Sequence, residues 1–313
     1  MGQADTIVVV GSANMDIVIP VHRLPAEGET MAGGDLAFFA GGKGANQACA
    51  AARLGARVSM VAQVGSDPFG TALLSSLRDA GVDIRHVGTS SRPSGCASIY
   101  VLPGGQNAIV ISPGANATLD PDMALRRLDA IPRAAAVLLQ LEIPIETVEA
   151  VLGWSRDRGV RAILDPAPAR PLSPTLLHQA DVLTPNQSEA AALIGRSSTI
   201  RDFDDAEQAA AILLQAGPAA VVIKLGALGC LAMTAHGCER ISGYSVTALD
   251  TTAAGDAFNA ALAVALGERK PLAEAAAFAN AAAALSVTRH GAQASLPYRE
   301  EEERFLQSAT ALA

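Results

Sequence analysis

Short blocks of unbroken apolar residues alternate along the chain with longer stretches whose apolar positions recur on one face of a helix. The blocks are TIVVVG (6–11), RVSMVAQVG (57–65), AAVLLQLE (135–142), VRAILDPA (160–167), DVLTPN (181–186) and AAVVIKLG (219–226), and they predict buried strands. The intervening stretches predict helices over 44–54, 67–80, 121–130, 145–158, 187–194 and 204–216. The third has a clear start, with Asp120 as N-cap and Pro121 at the first helical position. Strand alternating with helix predicts an α/β fold with a mainly parallel sheet covered by helices on both faces. No period of 20–50 residues repeats, which excludes a solenoid.

Residues 12–40 and 95–112 break this alternation. They contain half-apolar extended runs with no helix between them: DIVIPVHRL, TMAGGDLAFFA and CASIYVLPGGQNAIVIS. The last predicts a β-hairpin around PGGQ, whose glycines suit a tight turn. Together the segments predict a small antiparallel sheet standing off the main one. Pattern alone reads it equally well as a lid over a site or as a decorative extension.

Composition changes the picture mainly by exclusion. The 313 residues are 50% hydrophobic and 17% charged, as in a globular protein with a large core. A formal net charge of −8 and the absence of a Lys/Arg run argue against a nucleic-acid surface. Apolar runs such as 257–266 are too short to span a bilayer, and MGQADTIVVVG lacks the basic and long apolar regions of an export signal, so a cytoplasmic location is expected. Cys49, Cys96, Cys230 and Cys238 form no CxxC pair and have no His at ligand spacing, so they predict idle thiols rather than a zinc site or a disulfide framework.

The chemistry lies in the segments that follow the predicted strands. GGKGAN (41–46) sets Gly42, Lys43 and Asn46 at the start of a helix, where glycines admit a ligand to the backbone and free N–H groups carry positive potential. It is not a Walker A loop, because Gly44 stands where Ser or Thr must follow the lysine, and no GxGxxG follows the first strand. In GSANMDIV, Asn14 and Asp16 lie two apart just beyond the first strand, so one ligand can meet an amide and a carboxylate. Ordinary turn chemistry accounts for that pair equally well. QLEIP ends a strand with Glu142, and TPNQSE does so with Asn186 and Glu189, which also read as the acidic start of a helix. In DTTAAGDAFN (250–259), a helix beginning near Ala253–Gly255 offers unpaired amides among small side chains, and Asp256 stands in its first turn. Amides that neutralise a phosphoryl group, beside a carboxylate that takes the proton of the attacking hydroxyl, are the parts of a phosphoryl-transfer site.

GGKGANQA, NMD (14–16), DPAPAR (165–170), TPNQSE, DTTAAGDAFNAAL and VTRHGAQAS (287–295) together resemble the ribokinase-like, or PfkB-type, carbohydrate kinases, in order from about residue 6 to 300. The resemblance implies one Rossmann-like α/β domain over residues 1–313 with a β-sheet lid, and ATP-dependent phosphorylation of the 5-hydroxyl of D-ribose. It implies that Asn14, Asp16, Gly42, Lys43, Asn46 and Glu142 hold the sugar, that Asp256 is the base, and that Ala253, Ala254 and Gly255 form the anion hole. Asn186 and Glu189 would lie near the phosphates and Mg²⁺. The loop 224–229, with Lys224, Gly226 and Gly229, would line the nucleotide pocket together with Asn280. A monovalent cation, K⁺, would be held by Asp250, Thr252, Ser286, Arg289, Gly291 and Ser295, several through backbone carbonyls, an oxygen cage suited to a hard cation. The resemblance also implies a homodimer through the lids, for which AFF (37–39) and IYVL (99–102) offer apolar edges.

Two positions depart from the family pattern. Lys224 replaces the threonine of TLG on the nucleotide side, and Arg92-Pro93 precedes SGCASIYV where the lid approach has Thr-Gly. The sugar is left open between ribose and 2-deoxyribose, which differ by one hydroxyl contact. A nucleoside kinase needs a stacking platform, and aromatics are only 4% of the chain. A catalytically silent binding protein would lack the base or the anion hole, whereas Asp256 and Gly255 are present.

Overall fold

The computed structural model describes residues 5–104 and 106–310. Gly105, in the predicted PGGQ turn, and both chain ends of the expected 1–313 domain lie outside the described residues. The first half runs β1 (Thr6–Val10), β2 (Asn14–Pro20), β3 (Ala37–Gly41), α1 (Lys43–Arg53), β4 (Arg57–Gly65), α2 (Pro68–Asp79), β5 (Val87–Ser90), β6 (Gly95–Val101), β7 (Asn107–Ser112), α3 (Pro121–Asp129) and β8 (Ala134–Leu139). The second half runs α4 (Ile145–Arg158), β9 (Arg161–Leu164), α5 (Pro174–Leu177), β10 (Val182–Leu183), α6 (Gln187–Leu193), α7 (Phe203–Gln215), β11 (Ala220–Lys224), β12 (Gly229–Thr234), β13 (Gly237–Ser242), α8 (Ala254–Gly267), α9 (Leu272–Ser286) and α10 (Arg299–Thr310).

Among the described residues, nine strands form the main sheet in the order β13-β12-β11-β10-β9-β8-β1-β4-β5. All neighbours from β11 to β5 run parallel. Side chains alternate across a strand, so Ile7 and Val9 enter the layer beneath α1, α8 and α9, while Val8 and Val10 enter the layer that holds Leu128, Leu152 and Leu213. Both faces are covered, which is why the strand blocks are apolar throughout rather than alternating. The Asp120 cap is present: its carboxylate accepts the Met123 N–H at 2.7 Å.

Three strands were not evident in the sequence. β5 reads VGTS, with one large apolar residue, and β12 and β13 extend the sheet as an antiparallel edge hairpin. Four of the six residues of β13 are Gly, Ser or charged, because its outer side has no neighbouring strand among the described residues. The extended run at 30–40 narrows to Ala37–Gly41. The lid sheet, in the order β3-β2-β6-β7, is mixed rather than antiparallel, because its central pair β2 and β6 runs parallel. Both strands leave the same edge of the main sheet in the same direction, β2 after β1 and β6 after β5, and that common exit sets their polarity. No helix among the described residues is long and apolar enough to cross a membrane.

The C-terminal helix α10 packs on α9 and buries Glu302 completely, with neither carboxylate oxygen hydrogen-bonded. Burial pushes its pKa up to about 8, against the pull of Arg299 and Lys270 and with the push of Glu303 and Glu268. An acid whose pKa is raised by folding lends stability that is complete below its unfolded value and is lost as pH rises through the folded one. Thermal unfolding should therefore show a decline toward pH 9 that Glu302→Gln lacks. The variant should be more stable than wild type at pH 9 by about 2–4 kcal/mol, since a tenfold difference in proton affinity between the folded and unfolded chain corresponds to about 1.4 kcal/mol. Equal pH slopes for the two proteins would refute this assignment.

Candidate active site

In the main sheet β1 lies between β4 and β8, so the chain reverses its direction of winding there, and the carboxyl ends of the strands open a crevice. Ser12, Asn14, Gln140, Glu142, Asp165, Asn186 and Lys224 follow or end β1, β8, β9, β10 and β11, and they share that edge with the N-termini of α1 and α8. Their position is a consequence of parallel pairing: every strand ends on the same side.

The polar half of the crevice centres on Glu142. Its Oε2 accepts from the Ser12 hydroxyl, from Asn14 Nδ2 at 3.2 Å and from the Lys43 backbone N–H at 3.2 Å. The Asn14 side chain is fixed from behind by Asn116, whose Nδ2 donates to Asn14 Oδ1 at 2.7 Å. Gly42 has φ +89°, and a Cβ there would stand 2.6 Å from the Asn14 nitrogen, so glycine is required twice over. The α1 N-terminus is not the open anion site expected from its amides. The N–H groups of Lys43, Gly44 and Ala45 are taken by Glu142, the Ser12 hydroxyl and the Ser12 carbonyl. Asp16 lies over Gly41, where any Cβ would meet its carboxylate. Burial, then Glu142 and Asp256, push the Asp16 pKa up to about 7. A cavity of about 320 Å³ beside this cluster is lined by Asn14, Ile111, Asn116, Glu142 and Arg170.

Asp256 stands in the first turn of α8 and is buried. Its Oδ2 accepts from Asn46 Nδ2 at 2.9 Å and its Oδ1 from Gln47 Nε2 at 3.1 Å. Gln47 is held in turn by Gln140, whose Nε2 donates to Gln47 Oε1 at 2.6 Å. Burial pushes the Asp256 pKa up, Lys43 pulls it back, and Asp165 pushes it up again. Burial also works against the Lys43 ammonium, but the carboxylates of Asp256, Asp165, Glu142 and Glu189 outweigh it and hold Lys43 above its ordinary value. Immediately before α8, Ala253 adopts φ +61°, a left-handed conformation that costs a non-glycine residue about 1 kcal/mol or more. That turn starts the helix at Ala254 and brings Ala253, Ala254 and Gly255 to the wall of the adjoining cavity.

This second cavity, about 490 Å³, is lined by Lys43, Asn186, Glu189, Lys224, Gly226, Gly229, Asn280 and residues 253–256. It leads to an apolar slot of about 270 Å³ walled by Tyr244, Val246, Ala248, Ala283 and Val287. Asn186 and Glu189 form a capping box on α6: Asn186 Oδ1 accepts the Glu189 N–H at 2.9 Å, and Glu189 Oε2 accepts the Asn186 N–H at 2.8 Å. Gly229 has φ +108° and touches the β13 backbone, where a Cβ cannot fit. Asn280 lines both cavities while its Nδ2 donates to the Ser242 carbonyl at 2.8 Å. Lys224 Nζ lies 2.9 Å from Asp165 Oδ1.

Asp250 ties the loop before α8 to the loop after α9, its carboxylate accepting the N–H of Thr252 at 2.9 Å and of Gly291 at 2.8 Å. Burial opposes its ionisation, but these bonds hold the carboxyl below its ordinary value. The Arg289 guanidinium turns to Glu301, 2.7 Å away, so only its backbone remains for a cation. The Ser286 and Ser295 hydroxyls donate to carbonyls in their own turns, Ala283 and Ala292. Among the described residues, no cluster of three or more His, Cys, Asp or Glu side chains is arranged for a metal ion. Asp165, Gln47, Gln140 and Ser12 are members of the site that sequence reasoning did not single out. The one signal for Asp165 was its place in DPAPAR at a strand end.

Residues 4–299 match the pfkB family of carbohydrate kinases. The chain is 42% identical to ribokinase of Haemophilus influenzae over 97% of its own length and 99% of that protein. It is 33% identical to deoxyribokinase of Salmonella typhi, with 96% and 98% covered. The structure of Arabidopsis thaliana ribokinase complexed with ribose and ATP superposes with a TM-score of 0.91 at 36% identity, covering 97% of this chain and 99% of that one. With the family pattern spanning almost the whole chain, and a buried carboxylate lining a nucleotide-sized cavity beside a cluster of amides and carboxylates, the protein belongs to the pfkB family of carbohydrate kinases.

Proposed function

We propose that the protein transfers the terminal phosphoryl group of ATP to the 5-hydroxyl of D-ribose. The observation that carries this reading is Asp256: a buried carboxylate of raised basicity, held by Asn46 and Gln47 at the amide-rich start of α8, that lines the larger cavity and lies close enough to Asp16 of the polar cluster to push its pKa up. Asn14, Asp16, Asn46 and Glu142 supply an amide and carboxylate lining suited to sugar hydroxyls, with Gly42 allowing the backbone to approach. The side chains around the polar cavity are aliphatic and polar, without an aromatic platform for a nucleoside base, which favours a sugar acceptor. 2-Deoxyribose is the second reading, because a relative of comparable coverage carries that activity by name.

In the reaction Asp256 accepts the proton of the attacking hydroxyl, while the amides after Ala253 neutralise charge on the phosphoryl oxygens. The apolar slot by Tyr244 and Val246 suits the adenine ring. Glu189 offers hard oxygen atoms at the edge of the phosphate cavity, each accepting one hydrogen bond and keeping a lone pair free, so it suits Mg²⁺ held partly through water, while Asn186 Oδ1 accepts from the Ser188 hydroxyl and the Glu189 N–H and holds Glu189 in place. Mg²⁺ there supplies charge neutralisation on the phosphates. Asp250, Thr252 and the carbonyls of Ser286, Arg289, Gly291 and Ser295 are the donor set for K⁺, and the charged, doubly anchored Asp250 fits that ion. The lids form the homodimer contact. Phe39 on β3 and Ile109 and Ile111 on β7, 43–51% exposed, share one face of the lid sheet, more open than the Ile99–Leu102 edge, while Phe38 and Val110 lie on the other face.

ADP release from ATP and Mg²⁺ should depend on D-ribose in preference to 2-deoxyribose, fructose and adenosine, and should rise with K⁺ over a bulky organic cation. Asp256→Asn should retain both ligands while turnover falls by about 10²–10⁴-fold. Near-normal kcat in that variant removes Asp256 as the base.

Sugar hydroxyls that donate to Asp16 favour its ionised form, so binding should pull its pKa below about 7. Ribose affinity should then rise as pH increases through 7, with proton release seen as a buffer-dependent heat in calorimetry. Proton uptake at pH 7 would contradict this role.

Wild type should sediment as a dimer, and Ile109→Asp with Phe39→Asp should sediment as a monomer. Dimers that persist in the double variant would place the interface elsewhere.

A further inference from the structure

Two lysines converge on one buried carboxylate at the centre of the crevice. Asp165, 1% exposed, accepts from Lys224 Nζ at 2.9 Å and from Gln47 Nε2 at 3.2 Å, with Lys43 Nζ 3.9 Å from its other oxygen. The Lys224 side chain, 11% exposed, comes from the end of β11 and reaches across the short strand β10 to Asp165 at the end of β9. Its ammonium also stands over the start of α8: a Cβ built on Gly255 would lie 3.5 Å from Nζ. Lys224 thus lines the phosphate-sized cavity together with Ala253, Ala254, Gly255 and Asp256. One hydrogen bond to Asp165 leaves an ammonium two further donors. A lysine needed only to neutralise Asp165 would have no reason to lie at the helix terminus, since Lys43 and Gln47 already approach the same carboxylate.

We infer that Lys224 is a catalytic residue whose ammonium contacts the oxygens of the transferring phosphoryl group, with Asp165 as the positioning residue that holds it over the anion hole. The inference rests on the kinase reading and adds a residue to it. In the step, the acceptor hydroxyl oxygen forms the new bond to phosphorus, and the bond from phosphorus to the bridging oxygen of ADP breaks. The electron pair stays on ADP, and the hydroxyl proton passes to Asp256. Lys224 transfers no proton; it neutralises charge that the amides of α8 meet from the other side. Its attachment to Asp165 keeps it in place before the nucleotide arrives, so little reorganisation is needed at the moment of transfer.

The test compares wild type with Lys224→Met, Lys224→Arg and Asp165→Asn. Binding of ADP and of a non-hydrolysable imido analogue of ATP is measured with Mg²⁺ and without sugar, and turnover is measured with ribose. Lys224→Met should lower kcat by about 10²–10³-fold, the size of effect found for a single charge-stabilising donor. It should leave ADP affinity and ribose KM within about threefold, while the preference for the analogue over ADP falls about tenfold. Lys224→Arg should recover at least a tenth of wild-type kcat, and Asp165→Asn should lower kcat with ADP affinity kept. A kcat within fivefold of wild type for Lys224→Met overturns the inference. So does an equal loss of ADP and analogue affinity in a variant of lowered thermal stability, because that is the signature of a structural ion pair. Should Lys224→Met fail to fold, Lys224→Arg and Asp165→Asn decide by the same binding ratio. If wild type phosphorylates no ribose, the proposed function fails by itself, while the sugar-free comparison of ADP with the analogue still decides whether Lys224 meets the terminal phosphate.

Discussion

The site depends on one electrostatic constraint: five carboxylates, Asp16, Glu142, Asp165, Glu189 and Asp256, crowd the carboxyl edge of the sheet around two ammonium groups, Lys43 and Lys224. Like charges in a poorly solvated place raise one another's pKa, and this is visible at Asp16 and Asp256. The arrangement is held together by neutral donors. Ser12 and Asn14 serve Glu142, while Asn46 and Gln47 serve Asp256. Asp165 is bridged to Asp256 through the single Gln47 amide, so α1 is the element that sets the distance between the two carboxylates.

That constraint explains the small residues around it. A helix that carries a buried carboxylate into the middle of a fold must be gripped closely on all sides. α8 is buried from Asp256 to Leu266, and its neighbours α1 and α9 meet it largely with alanine. Close approach of backbones keeps water out, and this strengthens every charge interaction at the helix terminus. The same economy applies at Gly41 and Gly42, where a single added carbon would collide with Asp16 or with the Asn14 backbone. Strain is concentrated at Ala253, the residue whose left-handed turn starts α8 at the cavity wall.

Much of the fold was legible because its signals are local. Apolar blocks and helical spacing mark most of the parallel strands and the helices α1 to α4, α6 and α7, and Asp120-Pro121 marks the start of α3 from two residues alone. The polar edge strand β13 carries no such signal, and the parallel pairing of β2 with β6 is decided by where two distant segments leave the sheet. Within the site, Asp256, Asn46 and Glu142 could be picked out because each sits in a short motif beside a strand end or a helix start. Asp165 and Gln47 could not, since their meaning arises only when β9, α1, α8 and β11 come together. The amides at the start of α1 show the opposite case: a local pattern suggested an open anion site, and a residue 99 positions away, Glu142, had already taken the first of them.

The excess of carboxylates bears on how the two halves of the crevice act together. A neutral sugar adds no charge to the polar half, but it replaces water around Asp16 with donors of fixed geometry, which favours the ionised form of that carboxyl. That raises the negative potential at Asp256, which in the proposed mechanism makes its carboxylate a stronger acceptor for the hydroxyl proton. An anionic nucleotide then enters beside these groups, and its charge must be met by Lys43, Lys224, the amides of α8 and cations that accompany it. The potential that strengthens the base in the sugar half therefore opposes the nucleotide in the other half, and the two lysines on Asp165 stand where these demands meet. Asp165 stands between the two ammonium groups, while Gln47 links it to Asp256. The two lysines set positive charge beside the start of α8 in an otherwise acid-rich pocket.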